Sequence, residues 1–164
     1  MAFIIDNSRV GWQAIADTDT VKCHALGTIV RAIDPTLGAG EFIYLQGVGS
    51  TVVGSIVNYD DNFVTALDTS ATAGPSRPLA VAMSANVANR YGWYQISGLA
   101  VAAKASTVSF ADGAGLGAGS GLAVAVATGT VIQGAIVRTV ASAASGRVTV
   151  AIAINRPHDP SDVS

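Results

Sequence analysis

Residues 147–155 read Arg-Val-Thr-Val-Ala-Ile-Ala-Ile-Asn, and this stretch decides the fold class. Large β-branched side chains occupy every second position, at Val148, Val150, Ile152 and Ile154. Small side chains lie between them, at Thr149, Ala151 and Ala153. Because successive side chains of a strand point to opposite faces, the pattern predicts a strand with a bulky buried face and a small, uncharged outer face.

Further strand patterns lie on the N-terminal side of this stretch. The same asymmetry recurs at 123–127, where Val124 and Val126 oppose Ala123 and Ala125, and a β-rich run covers 130–139. The other predicted strands are 27–33, 41–47, 52–59, 63–67, 79–83, 91–97, 99–103 and 107–110. No helical pattern of 10 to 15 residues separates them. Their spacing predicts an all-β, single-domain barrel or sandwich of jelly-roll-like type, with at most one helical turn, at 84–90.

The predicted strands are separated by turn-forming segments at 34–40, 59–62, 73–78 and 112–121. The last contains Gly-Ala-Gly-Leu-Gly-Ala-Gly-Ser-Gly from residue 113. A dinucleotide site requires a helix after the glycines and an acidic residue about 20 positions further on. Val/Ala alternation follows instead, and a P-loop lysine is absent. The run predicts a flexible loop, or a loop that a neighbour approaches closely.

Both ends of the chain differ from its middle. Residues 1–20 mix apolar and polar side chains without a clear period, and 155–164 contain Pro157 and Pro160 in a polar setting. We expect an N-terminal arm at 1–20, a β domain at 21–154 and a polar C-terminal tail at 155–164. The two ends are the type of segment that becomes ordered against a neighbouring subunit.

Composition limits the class of protein. The chain is 50% hydrophobic but only 12% charged, whereas about 25% is typical of soluble domains. The apolar runs are too short for a membrane-spanning helix, and few aromatic residues disfavour an outer-membrane barrel. The N-terminus lacks a secretory signal pattern. The net charge is −2 and the cations are dispersed, so neither a nucleic-acid nor a membrane partner is expected.

Few side chains of the types used in catalysis or metal binding occur in the sequence. Cys23, His24 and His158 are the only cysteine and histidines. Adjacent residues of an extended segment face opposite ways, so Cys23 and His24 are not expected to form a nucleophile and base, and Cys23 is interpreted as a small buried thiol. No zinc spacing exists. Asp17, Asp19, Asp60 and Asp61 fit turns and caps better than a calcium site. We therefore expect no enzyme activity, no metal and no cofactor.

Four aromatic residues are candidate interface anchors: Trp12, Tyr91, Trp93 and Tyr94. Aromatic side chains that alternate along a strand are typical core and interface residues. A platform for glycans is the alternative interpretation of Tyr91, Trp93 and Tyr94.

Residues 78–103 read Pro-Leu-Ala-Val-Ala-Met-Ser-Ala-Asn-Val-Ala-Asn-Arg-Tyr-Gly-Trp-Tyr-Gln-Ile-Ser-Gly-Leu-Ala-Val-Ala-Ala. This stretch resembles the central region of capsid decoration, or cement, proteins of tailed bacteriophages. The resemblance extends to 40–59 and more weakly to the C-terminal strands, about half the chain. It implies a compact β-barrel or β-sandwich and carries over no site residues.

The resemblance also implies a role and partners. Such a protein, made in the host cytoplasm, binds the major capsid protein on the outer surface of the virion head and bridges neighbouring capsomers as a homodimer or homotrimer. Small uncharged outer faces agree with that role, because the centre of an interface is depleted of charge. A head-fibre, tail or baseplate component is the structural alternative, and a glycan-binding module is the other.

Overall fold

The computed structural model describes residues 4–5, 11–69, 77–126, 131–139 and 148–159. All regular elements in these residues are strands, so the predicted all-β class is confirmed. The strands are β1 (Ile4–Ile5), β2 (Thr18–Asp19), β3 (Ile29–Asp34), β4 (Gly38–Gln46), β5 (Ile56–Tyr59), β6 (Thr65–Leu67), β7 (Leu79–Ala82), β8 (Tyr91–Lys104), β9 (Gly117–Gly119), β10 (Leu122–Val124), β11 (Gln133–Val137) and β12 (Val148–His158). The described residues include no helix able to cross a membrane.

Strand β8 organises the sheet and merges two predicted strands, 91–97 and 99–103. Its first half pairs with β4 and β7, and its second half pairs with β12, antiparallel in each case. Gly98 lies between the halves with a φ of +103°. The Gln95 side chain, fully buried, donates through Nε2 to the carbonyl oxygens of Ser97 and Leu99, both at 3.1 Å. These bonds hold the main chain on both sides of Gly98.

Part of the sheet closes on itself. The strand order runs β4-β8-β7-β5-β6, and β6 returns to β4 through a bridge between Val64 and Gln46. Two hydrogen bonds support the closure: Gln46 N donates to Phe63 O at 3.0 Å, and Thr65 Oγ1 donates to Gln46 O at 2.9 Å. The enclosed inner cluster consists of Ile43, Leu45, Val57, Ala80, Ala82, Tyr94 and Ile96. Closure satisfies strand edges that would otherwise be free.

A second layer packs against the outside of β5 and β7. Ile56, Leu79 and Val81 form one core cluster with side chains of β8, β11 and β12. The alternation predicted for β12 is confirmed, since Val150, Ile152 and Ile154 are at most 4% exposed while the side chains between them point outward. Strand β8 therefore belongs to both parts of the sheet. Its first half lies in the closed part, and its second half lies in the layer that packs against that part in a sandwich-like arrangement.

The faces predicted for 123–127 are wrong where the structure describes them, because β10 ends at Val124 and both Ala125 and Val126 are exposed. Ala123 is fully buried, while Val124 is partly exposed and Val126 is 39% exposed. Ala123 pairs with both Lys104 and Ala118. The small side chain faces inward beside the buried side chain of Lys104, its partner on β8.

The glycine-rich run is hydrogen-bonded and includes β9, so the first of its two predicted forms, a flexible inter-strand loop, is wrong. Gly113 N donates to Val137 O at 2.8 Å, and Val137 N donates to Ala114 O at 2.9 Å, so the run lies along the outer edge of β11. Its second part forms β9, which pairs with β10. Gly121, with a φ of +75°, accepts a hydrogen bond from Ile56 N at 2.8 Å.

Two other local predictions are wrong. No strand forms at 107–110, because a turn begins at Ala105, and Lys104 Nζ donates to the carbonyl oxygens of Ala105 and Val108 at 3.2 and 2.6 Å. No helical turn forms at 84–90 either. There, buried Asn86 donates through Nδ2 to Leu45 O at 3.3 Å and to Tyr94 Oη at 3.0 Å.

The described parts of the two predicted terminal segments make contacts with the β domain. In the N-terminal segment, Ile15 is 3% exposed, and Thr18 and Asp19 form β2 beside β8. In the C-terminal segment, β12 continues past residue 154 to His158, which bridges to Pro78. Residues 1–3, 6–10 and 160–164 of these segments lie outside the described part of the chain.

Candidate functional site

Four aromatic rings lie together on one face of the sheet. Tyr44 on β4 and Trp93 on β8 are directly paired across the strands, with ring centroids 5.0 Å apart. The His24 ring stacks on Trp12 at 4.7 Å and lies 5.1 Å from Tyr44 and 5.4 Å from Trp93. Tilted and edge-on contacts at these distances stabilise aromatic pairs beyond the area they bury. We call Trp12, His24, Tyr44 and Trp93 the aromatic cluster.

Gln13 ties the N-terminal segment to this cluster. Its main-chain N–H donates to His24 Nε2 at 3.3 Å, and its carbonyl accepts from Trp93 Nε1 at 3.0 Å. Its side-chain Oε1 accepts from Tyr44 Oη at 2.8 Å. Its Nε2 donates to the carbonyl oxygens of Asp17 and Tyr91 at 2.8 and 3.2 Å. One residue thus connects residues 11–19 to three members of the cluster, and no sequence motif singled it out.

The four sequence-predicted anchors separate into two groups. Trp12 and Trp93 belong to the aromatic cluster, and Tyr91 packs beside it. Tyr94 faces the opposite way, into the inner cluster, where burial raises the pKa of its hydroxyl to about 12. Trp93 and Tyr94 have no exposed surface. Both side chains contribute to the core.

Cys23 and His24 have separate partners. The thiol of Cys23 lies 3.5 Å from Asp19 Oδ2, whereas the His24 ring lies in the aromatic cluster. Cys23 is exposed, which corrects the expectation of a buried thiol. Desolvation raises its pKa, and the Asp19 carboxylate raises it further. A raised pKa disfavours the thiolate, which is the nucleophilic form.

The predicted turn role of two aspartates is confirmed. Asp60 Oδ1 accepts from the N–H groups of Asn62 and Val64 at 3.0 and 2.9 Å, and Asp19 Oδ1 accepts from Val21 N at 3.2 Å. These main-chain hydrogen bonds lower the pKa of both carboxyl groups. Within the described ranges, no three His, Cys, Asp or Glu side chains are grouped in a way that could hold a metal ion.

We expect the stability of the protein to fall as the pH is lowered below about 6.5, the usual pKa of histidine. Burial lowers the pKa of His24 in the folded chain, so the unfolded chain binds the proton more readily. The contribution of neutral His24 is complete above about pH 6.5 and is lost as the pH falls through the folded-state pKa. Urea denaturation between pH 5.5 and 7.5 measures this.

The matched variants are His24→Phe and His158→Gln. The first keeps a ring in the aromatic cluster but removes the titrating group, so its stability should depend less on pH. The second changes the histidine outside the cluster and is the control. An unchanged dependence in His24→Phe would assign the effect to other groups.

A second feature is a group of five apolar, partly exposed side chains on one sheet surface. On the outer side of the second layer, Ile136, Ala153 and Leu99 are neighbours across β11, β12 and β8. Ala151 and Val101 form the adjacent pair. Ile136 is 43% exposed and the other four are partly exposed. We call these five residues the uncharged face; Arg138 lies at its border, where its N–H donates to Ala151 O at 2.9 Å.

Comparisons with protein-family models, with curated proteins and with solved structures find no match for this chain.

Proposed function

We propose that the protein is a structural subunit that decorates a phage capsid and docks through the uncharged face. The observation that carries the proposal is this face, five apolar side chains on three adjacent strands. Interface centres are depleted of charged residues and have a polar rim, and here Arg138 and exposed Asn155 lie beside apolar residues. The resemblance of 78–103 to cement proteins implies the partner that we propose, the major capsid protein.

The small side chains of the face suit this role energetically. Ala151 and Ala153 lose almost no side-chain entropy when a partner covers them. They also let a partner backbone approach closely. Each contact of this kind is modest, but many copies on one shell must detach together, which raises the overall stability of the particle.

The test introduces charge into the face without disturbing the core. We expect the wild-type protein to form a homodimer or homotrimer and to co-sediment with expanded shells of the phage that encodes it. Ile136→Lys should reduce the bound fraction at least tenfold, because a lysine in the centre of an interface loses its hydration without gaining a partner. Quantitative gel analysis of pelleted shells measures the occupancy.

The control is Val21→Lys, since Val21 is 70% exposed and lies in the N-terminal region, away from the uncharged face. It should bind like the wild type. Folded Ile136→Lys protein that saturates shells normally would show that docking uses another surface. Folded wild-type protein that ignores the shells would contradict the capsid role itself and favour a head-fibre, tail or baseplate position, which electron microscopy of labelled particles would reveal.

A further inference from the structure

An open cavity of about 370 Å³ lies at one end of the closed part of the sheet. Its apolar wall includes Ile96 and Tyr59, which also belong to or pack on the inner cluster. Leu79 and Pro157 extend this wall. The cavity therefore opens from solvent onto the edge of the inner cluster, and the mouths of barrels are common ligand sites.

Two arginines line the cavity with donors that remain available. Arg156 Nη2 donates to Glu41 Oε2 at 3.0 Å, which uses one of the five N–H groups of its guanidinium. The guanidinium of Arg77 and the hydroxyl of Tyr59 make no hydrogen bond to any described residue. None of the described residues that line the cavity is acidic. Asp60 and Asp159 interact electrostatically with Arg77 from outside the lining.

The backbone at Arg156 is unusual for a strand. Its φ is +45°, in the left-handed region that favours glycine. The pairing of β11 with β12 shifts register nearby, at Gly134, where a Cβ atom would lie 2.7 Å from Asn155 O. Such bulges redirect side chains, and strained residues cluster at binding sites.

The ion pair with Glu41 does not explain why an arginine occupies this strained position. Both side chains are solvent-accessible, at 62% for Arg156 and 39% for Glu41. Exposed ion pairs contribute little to stability. A glycine would adopt the same φ without strain, so the backbone conformation gives no reason for a long side chain at this position.

We infer that the cavity binds a carboxylate carried on an apolar group. The apolar part packs on Ile96 and Leu79, and the carboxylate accepts hydrogen bonds from Arg77 and Arg156, whose planar guanidinium groups match its two oxygens. The carboxylate belongs either to a free aliphatic acid or to the C-terminus of a protein chain. This inference does not depend on the capsid role, since the uncharged face does not line the cavity.

The test is an NMR titration of the full-length protein with hexanoate and, separately, with hexanamide, which has the same apolar chain but no charge. We expect hexanoate to shift the amide signals of Tyr59, Arg77, Arg156 and His158 and hexanamide to leave them in place. A leucine-terminated tetrapeptide with a free carboxylate, compared with its amidated form, distinguishes the sources. Tighter binding of the free peptide than of hexanoate assigns a protein terminus, and the reverse assigns a free acid.

Two variants test the assigned residues. Arg77→Gln and Arg156→Gly should each weaken hexanoate binding at least tenfold, and Arg156→Gly should melt no lower than the wild type, because glycine relieves the positive φ. Arg90→Gln, whose Nη1 lies 3.4 Å from Thr18 Oγ1 outside the cavity, should bind normally. Equal shifts with hexanoate and hexanamide, no shift at millimolar hexanoate, or normal binding by folded Arg77→Gln would each overturn the inference.

Discussion

The Gly98→Ala variant is expected to lose about 2–5 kcal/mol of its free energy of unfolding. A Cβ atom at this position would lie 2.5 Å from Ala39 O and 3.0 Å from Gly40 Cα, which are backbone atoms of the paired strand. Relieving this overlap requires backbone shifts costing about 1–3 kcal/mol, and the positive φ adds about 1–2 kcal/mol for a residue with a side chain. Urea denaturation followed by circular dichroism measures the loss.

Gly113→Ala separates the two contributions. Gly113 has a φ of +78°, but a Cβ atom there would meet nothing within 4 Å. We expect it to cost only about 1–2 kcal/mol, the conformational part alone. Equal losses of unfolding free energy in the two variants would mean that β8 can move away from β4 at Gly98 at little cost.

Trp93→Ala is expected to destabilise the protein by about 3–5 kcal/mol, the usual cost of removing a large buried aromatic side chain. Trp93 is fully buried, contacts the rings of Trp12, His24 and Tyr44, and donates a hydrogen bond to the carbonyl of Gln13. Its removal leaves a cavity and an unpaired carbonyl in the same place. The midpoint of thermal unfolding should fall accordingly.

Two further variants divide this cost into parts. Trp93→Phe keeps an aromatic ring and loses the hydrogen bond to Gln13, so we expect a loss of about 1–3 kcal/mol. Trp12→Ala removes a ring that is partly exposed and should cost less than Trp93→Ala. If Trp12→Ala and Trp93→Ala were equally destabilising, the cluster would depend on the N-terminal segment rather than on the sheet.

The sequence predicts a strand and its buried face correctly where the large side chains are the buried ones. In β12, branched and small residues alternate without exception from Val148 to Ile154, and burial follows the same alternation. At Ala123 the same reasoning fails, because a closely packed neighbour, Lys104, favours the small residue on the inside. Residue size alone cannot report which buried side chain will lie beside a given position. The glycine-rich run fails for a related reason, since its hydrogen bonds to β11 join residues distant in sequence.

The sites were less predictable than the fold. Gln13 has four bonded polar groups, yet an isolated glutamine in an irregular segment carries no pattern. The cavity did leave a weak signal: the dipeptide Arg-Pro occurs at residue 77 and again at residue 156. Only the three-dimensional pairing of Pro78 with His158 brings the two copies together. A repeated dipeptide does not predict a shared site until the strand register shows that the two copies are neighbours.

The glycine-rich run along β11 has a consequence for crowded copies of this chain. A bare outermost strand exposes main-chain donors and acceptors that template fibril growth. In β11 the N–H and C=O groups of Val137 are already bonded to Ala114 and Gly113. Glycine and alanine achieve this with hardly any side-chain bulk, so this end of β11 offers a second copy of the chain no free main-chain groups at Val137.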